Sequence, residues 1–323
     1  MAIETQLEAT TNDYFQMKDG KAEDLYTEMS FLCNYHLKDK KGNYKTHKGG
    51  RKIKIPIRFD GNASGFFTRG TPLDSTKQQA VTSVYLNWKY AYGNATIYQI
   101  DSWENAGPEA QVDLIFEEIE GAQIGLNKIL ATSLYNGLEG DSSNLTGLNS
   151  ITDTTATTDY AEYSSNDIVS ADGTKVWTGL GSSTTTGLSM NAIRTIRTAA
   201  AYGDGKLSEP DIISTTETNY NTIKNILSVS QQFTEGVKTA KAGFSGVYFE
   251  GCDISPDRYC PASNLYAVNT KHLGFTVNPD ALFKRQKWQV IAGSPNDRTM
   301  KLVFGGNLTC NNRRSCYRHS DIS

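Results

Sequence analysis

The chain has 323 residues, a formal charge of −3 and 38% hydrophobic content. That is long enough that two lobes are expected in place of one core, and near-neutral charge gives no global pull toward nucleic acid or membrane. No apolar run approaches the ~18 residues of a membrane span, and the N-terminal MAIETQLEATTNDYF is acidic and polar, unlike a signal peptide.

Five cysteines (33, 252, 260, 310, 316) are an odd number in a long chain, the pattern of free thiols in a reducing cytoplasm. Seventeen tyrosines against eight prolines point to an ordered protein with large contact surfaces. Residues 1–34 carry seven acids (4, 8, 13, 19, 23, 24, 28) against Lys18 and Lys21. Their short apolar patch, Leu25, Met29, Phe31 and Leu32, reads as an arm that docks on something.

Residues 35–58 invert the charge, with nine Lys/Arg and Asp39 as the only acid. A nucleic-acid patch is one reading. The other, which the pattern favours, is a solvated or subunit-facing edge, because the run merges into an alternating strand. Ile53, Ile55, Ile57 and Phe59 share one face; Lys52, Lys54, Pro56 and Arg58 share the other. Pro56 marks an edge strand. A second strand is expected from Val84 to Tyr92, with Val84, Leu86, Trp88, Tyr90 and Tyr92 on one face. Between them lies a turn-rich tip, DGNASGFFTRGTPLDSTKQQ. Such a hairpin is marginal alone and needs a covering surface in its own chain or a neighbour.

The strongest periodicity runs from Pro108 to Tyr135. Val112, Ile115, Phe116, Ile119, Leu126, Ile129, Leu130 and Leu134 recur at helical spacing, Pro108 suits a first turn, and Gly137 is a stop. Glu109, Asp113, Glu117 and Glu120 line its first half. Residues 141–187 contain 24 Ser, Thr or Gly out of 47, a composition that predicts exposed loops with little core and tolerance to change. Helices are then expected from Ser189 to Tyr202-Gly203 and around Tyr220, Ile223 and Leu227. Strands are expected at 210–214, 246–250, 265–269, 288–292 and 301–309.

Motifs for chemistry are wanting. No phosphate loop, nucleophile elbow or H-E-x-x-H occurs, and Gly203-Asp204-Gly205 reads as a turn. Cys310, Cys316 and His319 are spaced C-x5-C-x2-H, not a common zinc pattern. Neither a cofactor nor a catalytic residue is expected. Asn-x-Ser/Thr at 62, 94, 144 and 307 lacks a secretory context.

The order of elements, and the segments VYLNWKYAYGNATIYQID, PDIISTTETNYNTI, LYAVNTKHLGFTVNPD and KWQVIAGSPNDRTMKLVFGGNLTCNNRRSCYRHSDI, resemble the major capsid proteins of tailed bacteriophages. The resemblance covers about residues 15–323. It implies an α+β, Hong Kong 97-type capsid fold in four parts: an N-terminal arm (1–50), an extended β-hairpin loop (51–99), a peripheral domain with the long spine helix (100–140 and 300–323) and an α/β axial domain (141–299). It implies a non-enzymatic subunit that assembles with itself, as hexamers and pentamers, into an icosahedral shell around double-stranded DNA. The virion is the expected location, after assembly in a bacterial cytoplasm, with a portal, a decoration protein and no membrane. Only about fifty residues precede the hairpin, too few for a long built-in scaffolding extension, so a separate scaffolding protein is expected, and a mature chain that starts at Met1 or Ala2. Some relatives cross-link Lys to Asn; no motif fixes Lys77 with Asn307 or Asn311 in that role. An encapsulin-like nanocompartment shell, or a nucleic-acid-binding protein using 35–58, is the alternative. The predicted inter-subunit contact sets Arg51, Lys52, Lys54 and Arg58 over a neighbour's Asp113, Glu117 and Glu120.

Overall fold

The computed structural model describes residues 30–62, 64–73, 75, 79–100, 108–155, 157, 159–201, 209–229, 234–235 and 247–322. The expectations for residues 1–29, for Lys77 and for the turn at 203–205 lie outside them. The helices are α1 (Phe31–Leu37), α2 (Pro108–Asn136), α3 (Leu148–Ile151), α4 (Met190–Ala200) and α5 (Glu217–Val229). The strands are β1 (Lys45–Thr46), β2 (Lys52–Arg58), β3 (Val81–Asn87), β4 (Lys89–Ile97), β5 (Leu180–Ser182), β6 (Ile212–Thr215) and β7 (Thr234–Glu235). They continue with β8 (Val247–Phe249), β9 (Cys252–Pro256), β10 (Leu265–Val268), β11 (Leu273–Val277), β12 (Lys284–Arg285), β13 (Gln289–Ile291), β14 (Ser294–Cys310) and β15 (Tyr317–His319).

Three sheets organise them. One runs β1-β11-β14-β12, with β4 and β13 also paired to the long β14; a second runs β5-β15-β10-β6-β9-β8-β7; β2 and β3 form the hairpin. The long helix starts at Pro108 as its periodicity predicts and ends one residue before Gly137. It buries Ile115, Ile119, Leu126, Leu130 and Leu134, whereas Ile129, predicted on that face, is half exposed beside Ile124. Helix and sheet touch backbone to backbone: a Cβ on Gly93 of β4 would stand 2.3 Å from the Ala122 carbonyl oxygen, so only glycine permits the approach. Two lobes were expected; buried apolar residues form three clusters. The largest spans α1, the hairpin, the second half of α2, residues 145–177 and β11/β14. A second fills the lobe of α4, α5 and the second sheet, and a third lies between the first half of α2, β4, Trp288 and Met300.

Four expectations are corrected. First, the strand expected across 84–92 is two strands that part at Trp88. β3 pairs with β2, β4 pairs with β14, and the burial phase reverses at the break. Lys89 turns inward, and Tyr90 and Tyr92 stand exposed. Second, residues 30–46 belong to the body, not to an arm: every residue of α1 is buried and β1 pairs with β11. The Ser30 hydroxyl caps α1 through the Cys33 N–H and donates to the buried Asp257 at 2.8 Å. Third, the Ser/Thr/Gly-rich stretch has more core than expected: Leu145, Leu148, Ile151, Tyr160, Ile168 and Trp177 are buried anchors between loop residues that stay exposed, as at 154–155, 166–167 and 171–173. Its backbone carbonyls are satisfied from far along the chain. Buried Arg313 donates to Ile151 O (2.9 Å), Trp177 O (2.9 Å), Ser150 O (3.2 Å) and Asp153 O (3.1 Å), and lies over the Tyr160 and Trp177 rings. Fourth, the final residues divide between sheets: β14 runs beside β4, and β15 pairs with β10 and β5 in the second sheet.

Candidate subunit interface

The hairpin is built by strict alternation. Ile53, Ile55 and Ile57 face inward with Val84 and Leu86; Lys54, Pro56 and Arg58 face solvent. Its apolar face is covered by its own chain, where Tyr85 N–H donates to Ala161 O (3.3 Å), Ala171 N–H donates to Asp60 (2.7 Å), and Lys52 is paired with Glu162. At its root, Lys89 is buried and donates to the backbone carbonyls of Glu139 and Asp141, just past the end of α2. Burial pulls its ammonium below the usual lysine range, opposed by Asp141 and Glu139. The Glu139 carboxylate accepts from the N–H groups of Ala161 and Glu162 and is raised by burial. Asn307 completes the root, donating to Asn87 O (2.9 Å) and accepting from Thr146 N–H (2.9 Å). Fully buried and saturated, Asn307 is held away from any external partner.

The tip is different. Phe66 is fully exposed, and Phe67 and Leu73 are each 67% exposed. Among the described residues nothing covers them. Periodicity missed these residues, because Phe66 and Phe67 are adjacent and turn residues separate them from Leu73.

The predicted contact residues sort as follows. Lys54, Arg58 and Arg51 are exposed and carry no ion pair among the described residues; Lys52 is engaged with Glu162. Glu117 is exposed and Glu120 half-buried; Asp113 lies on α2, its side chain outside the described residues. The structure does not bring the two charge groups together within one chain. The hairpin root is clamped at residues 139–141, beyond the C-terminal end of α2, and Glu117 lies some twenty residues earlier, about 30 Å along the helix. The predicted meeting of these groups is one between two copies.

Among the described residues no three His, Cys, Asp or Glu side chains converge. No described helix is long and apolar enough to cross a membrane.

No protein-family model matches the chain, and no curated protein matches it in sequence. Solved structures do match in fold. The capsid asymmetric unit of cyanophage A-1(L) is similar with a TM-score of 0.66 at 17% identity, over 91% of this chain and 93% of that one. The capsid of a native GTA particle is similar at 0.57 and 8% identity, over 89% and 90%. The holo-encapsulin complex of Synechococcus elongatus is similar at 0.53 and 7% identity, over 87% and 85%. The chain thus has the α+β, Hong Kong 97-type capsid fold.

Proposed function

We propose that the chain is a major capsid protein, the structural subunit of an icosahedral phage head enclosing double-stranded DNA. The observation that carries the reading is the fold, matched nearly end to end on both sides by a phage capsid subunit. The exposed apolar tip supports it: a soluble monomer has no use for Phe66, Phe67 and Leu73 in water, and a subunit whose hairpin lies on a neighbour has. In this reading residues 51–99 are the extended loop, α2 is the spine of the peripheral domain, and the lobe built on the second sheet is the axial domain at the centre of hexamers and pentamers. The role is structural, not enzymatic. A scaffolding protein, a portal and a decoration protein are the further partners, DNA is held without sequence preference, and the virion is the location.

An encapsulin-type compartment is the second reading, favoured by the encapsulin among the similar structures. Negative-stain imaging of particles, with nuclease-protection and protein-cargo analysis, separates the two. Shells with nuclease-protected double-stranded DNA in infected cells support the capsid reading. Shells holding a protein cargo and no DNA support the compartment. A chain that forms no rings or shells under any condition, with or without scaffolding, overturns both. A monomer with steep salt-dependent DNA affinity would support the basic segment 35–58 as a nucleic-acid site.

A further inference from the structure

The connection between β14 and β15 carries the chain from the first sheet to the second through a single 3-10 turn, Arg313–Ser315. Cys310 and Cys316 flank this turn. Both thiols are fully buried and unpaired, and they hydrogen-bond to each other. The other cysteines are arranged otherwise: Cys252 and Cys260 donate to the carbonyls of Pro210 and Asn264. The joint is fixed on both sides, since Cys310 N–H donates to the Tyr160 hydroxyl (3.0 Å) and Cys316 N–H to Arg313 O (3.1 Å). Two thiols in hydrogen-bond contact across a short turn are placed as the partners of a bridge.

We propose that Cys310 and Cys316 form an oxidisable pair that closes to a disulfide and staples the two sheets at their last crossing. The proposal stands independently of the capsid reading. Cys316 is the attacking thiol. The Cys310 thiol lowers its pKa most, burial opposes, and the Asn269 backbone N–H lowers it further, with Asp211 against; burial and the paired thiol raise that of Cys310. The oxidant that suits a buried pair is a small peroxide. The Cys316 thiolate attacks hydrogen peroxide and breaks the O–O bond, giving Cys316–SOH and hydroxide. Cys310 then attacks the sulfenic sulfur, forms the S–S bond and releases the oxygen as water. Two thiols and one peroxide become one disulfide and two waters: the Cys310 proton leaves with the sulfenic oxygen, and the hydroxide takes the proton that Cys316 lost on ionising.

The test uses the intact protein. Native protein is treated with hydrogen peroxide, quenched with catalase, unfolded in iodoacetamide and mapped by mass spectrometry after trypsin, which cleaves after Arg313 and Arg314. The expected result is a disulfide-linked pair of peptides bearing Cys310 and Cys316, with Cys33, Cys252 and Cys260 alkylated. The melting temperature should rise by about 3–5 °C and return with dithiothreitol. In Cys310→Ser, the same treatment should leave a sulfenic acid on Cys316 that dimedone traps. Alkylation of both cysteines in peroxide-treated protein, linkage to any other cysteine, or bridging only after denaturation overturns the proposal, and the wild-type map decides it even if the variant fails to fold.

Discussion

The hairpin and the Ser/Thr/Gly-rich stretch lie against each other, yet their sequences advertise opposite things. The hairpin shows clean apolar alternation and puts three isoleucines into the core, but its tip leaves Phe66 and Phe67 in water. The stretch 145–177 is poor in apolar residues and nonetheless sends Leu145, Leu148, Ile151, Tyr160, Ile168 and Trp177 into the core, where Arg313 and Asn307 pair with its polar backbone. Burial in this protein follows whether backbone polar groups find partners, not only how many apolar side chains a segment holds.

The sharpest way to break that contrast is to remove the partner. Arg313→Met keeps the volume but strands the carbonyls of Ser150, Ile151, Asp153 and Trp177. A loss of about 3–5 kcal/mol is expected, read as a fall in the urea midpoint. If the midpoint holds, the stretch is buried by its apolar residues alone and the contrast dissolves.

The second effect concerns α1, the other segment whose burial its own sequence understated. His36 is buried beside Phe275, Nδ1 facing Lys41 O, and desolvation lowers its pKa from 6.5 to about 4. A base depressed in the folded state supplies stability that is complete above pH 6.5 and drains away as pH falls toward 4. The full loss is roughly 3 kcal/mol, since the unfolded chain binds the proton first. Asp257, raised by burial, works in the opposite direction over the acid end of that window. The check is the difference in urea midpoint between pH 7 and pH 4.5, wild type against His36→Gln. The variant should lose most of the slope; an equal slope assigns the acid sensitivity elsewhere.

Legibility in the sequence follows the same line. The long helix and strand β2 were readable because each carries its period within a few residues: 119, 122, 126, 130 and 134 for the helix, 53, 55 and 57 for the strand. The break at Trp88 was not, because apolar residues continue in phase past it while the chain changes partner from β2 to β14. The burial of α1 depends on Asp257, more than two hundred residues away, and that of residues 145–177 on Arg313. Of the candidate interface, the basic edge was visible as alternation. The engagement of Lys52 with Glu162 and the exposed tip were not, since neither is periodic.

The third expectation tests the tip. Phe66→Ser with Phe67→Ser should leave the isolated subunit's urea midpoint unchanged, within about 0.5 kcal/mol, because neither ring is packed. If a neighbour covers them, each contributes about 1.5–3 kcal/mol to assembly. The critical concentration for shell formation should then rise roughly a hundredfold or more, each 1.4 kcal/mol being a factor of ten. Normal assembly by the double variant would remove the tip from the interface.

The smallest effect is electrostatic and specific to the exposed edge of the hairpin. Lys54 and Arg58 project from the solvent face of β2, and Glu117 and Glu120 lie on α2 about 30 Å from the hairpin root of the same chain. A contact between them joins two copies. Each exposed pair contributes about 0.2–1 kcal/mol, and salt screens it. In a shell the contact would repeat at every subunit, so small terms would set the range of ionic strength over which assembly proceeds. Lys52 is left unchanged in the test because its loss would free Glu162 and disturb the hairpin's own seat. Lys54→Glu with Arg58→Glu should lower the salt-dependent part of assembly, and adding Glu117→Lys with Glu120→Lys should restore it in part. Light scattering across a salt series reads both. If the second pair of changes fails to rescue folded protein, the charge contact is rejected, and the apolar tip is left as the hairpin's candidate contact.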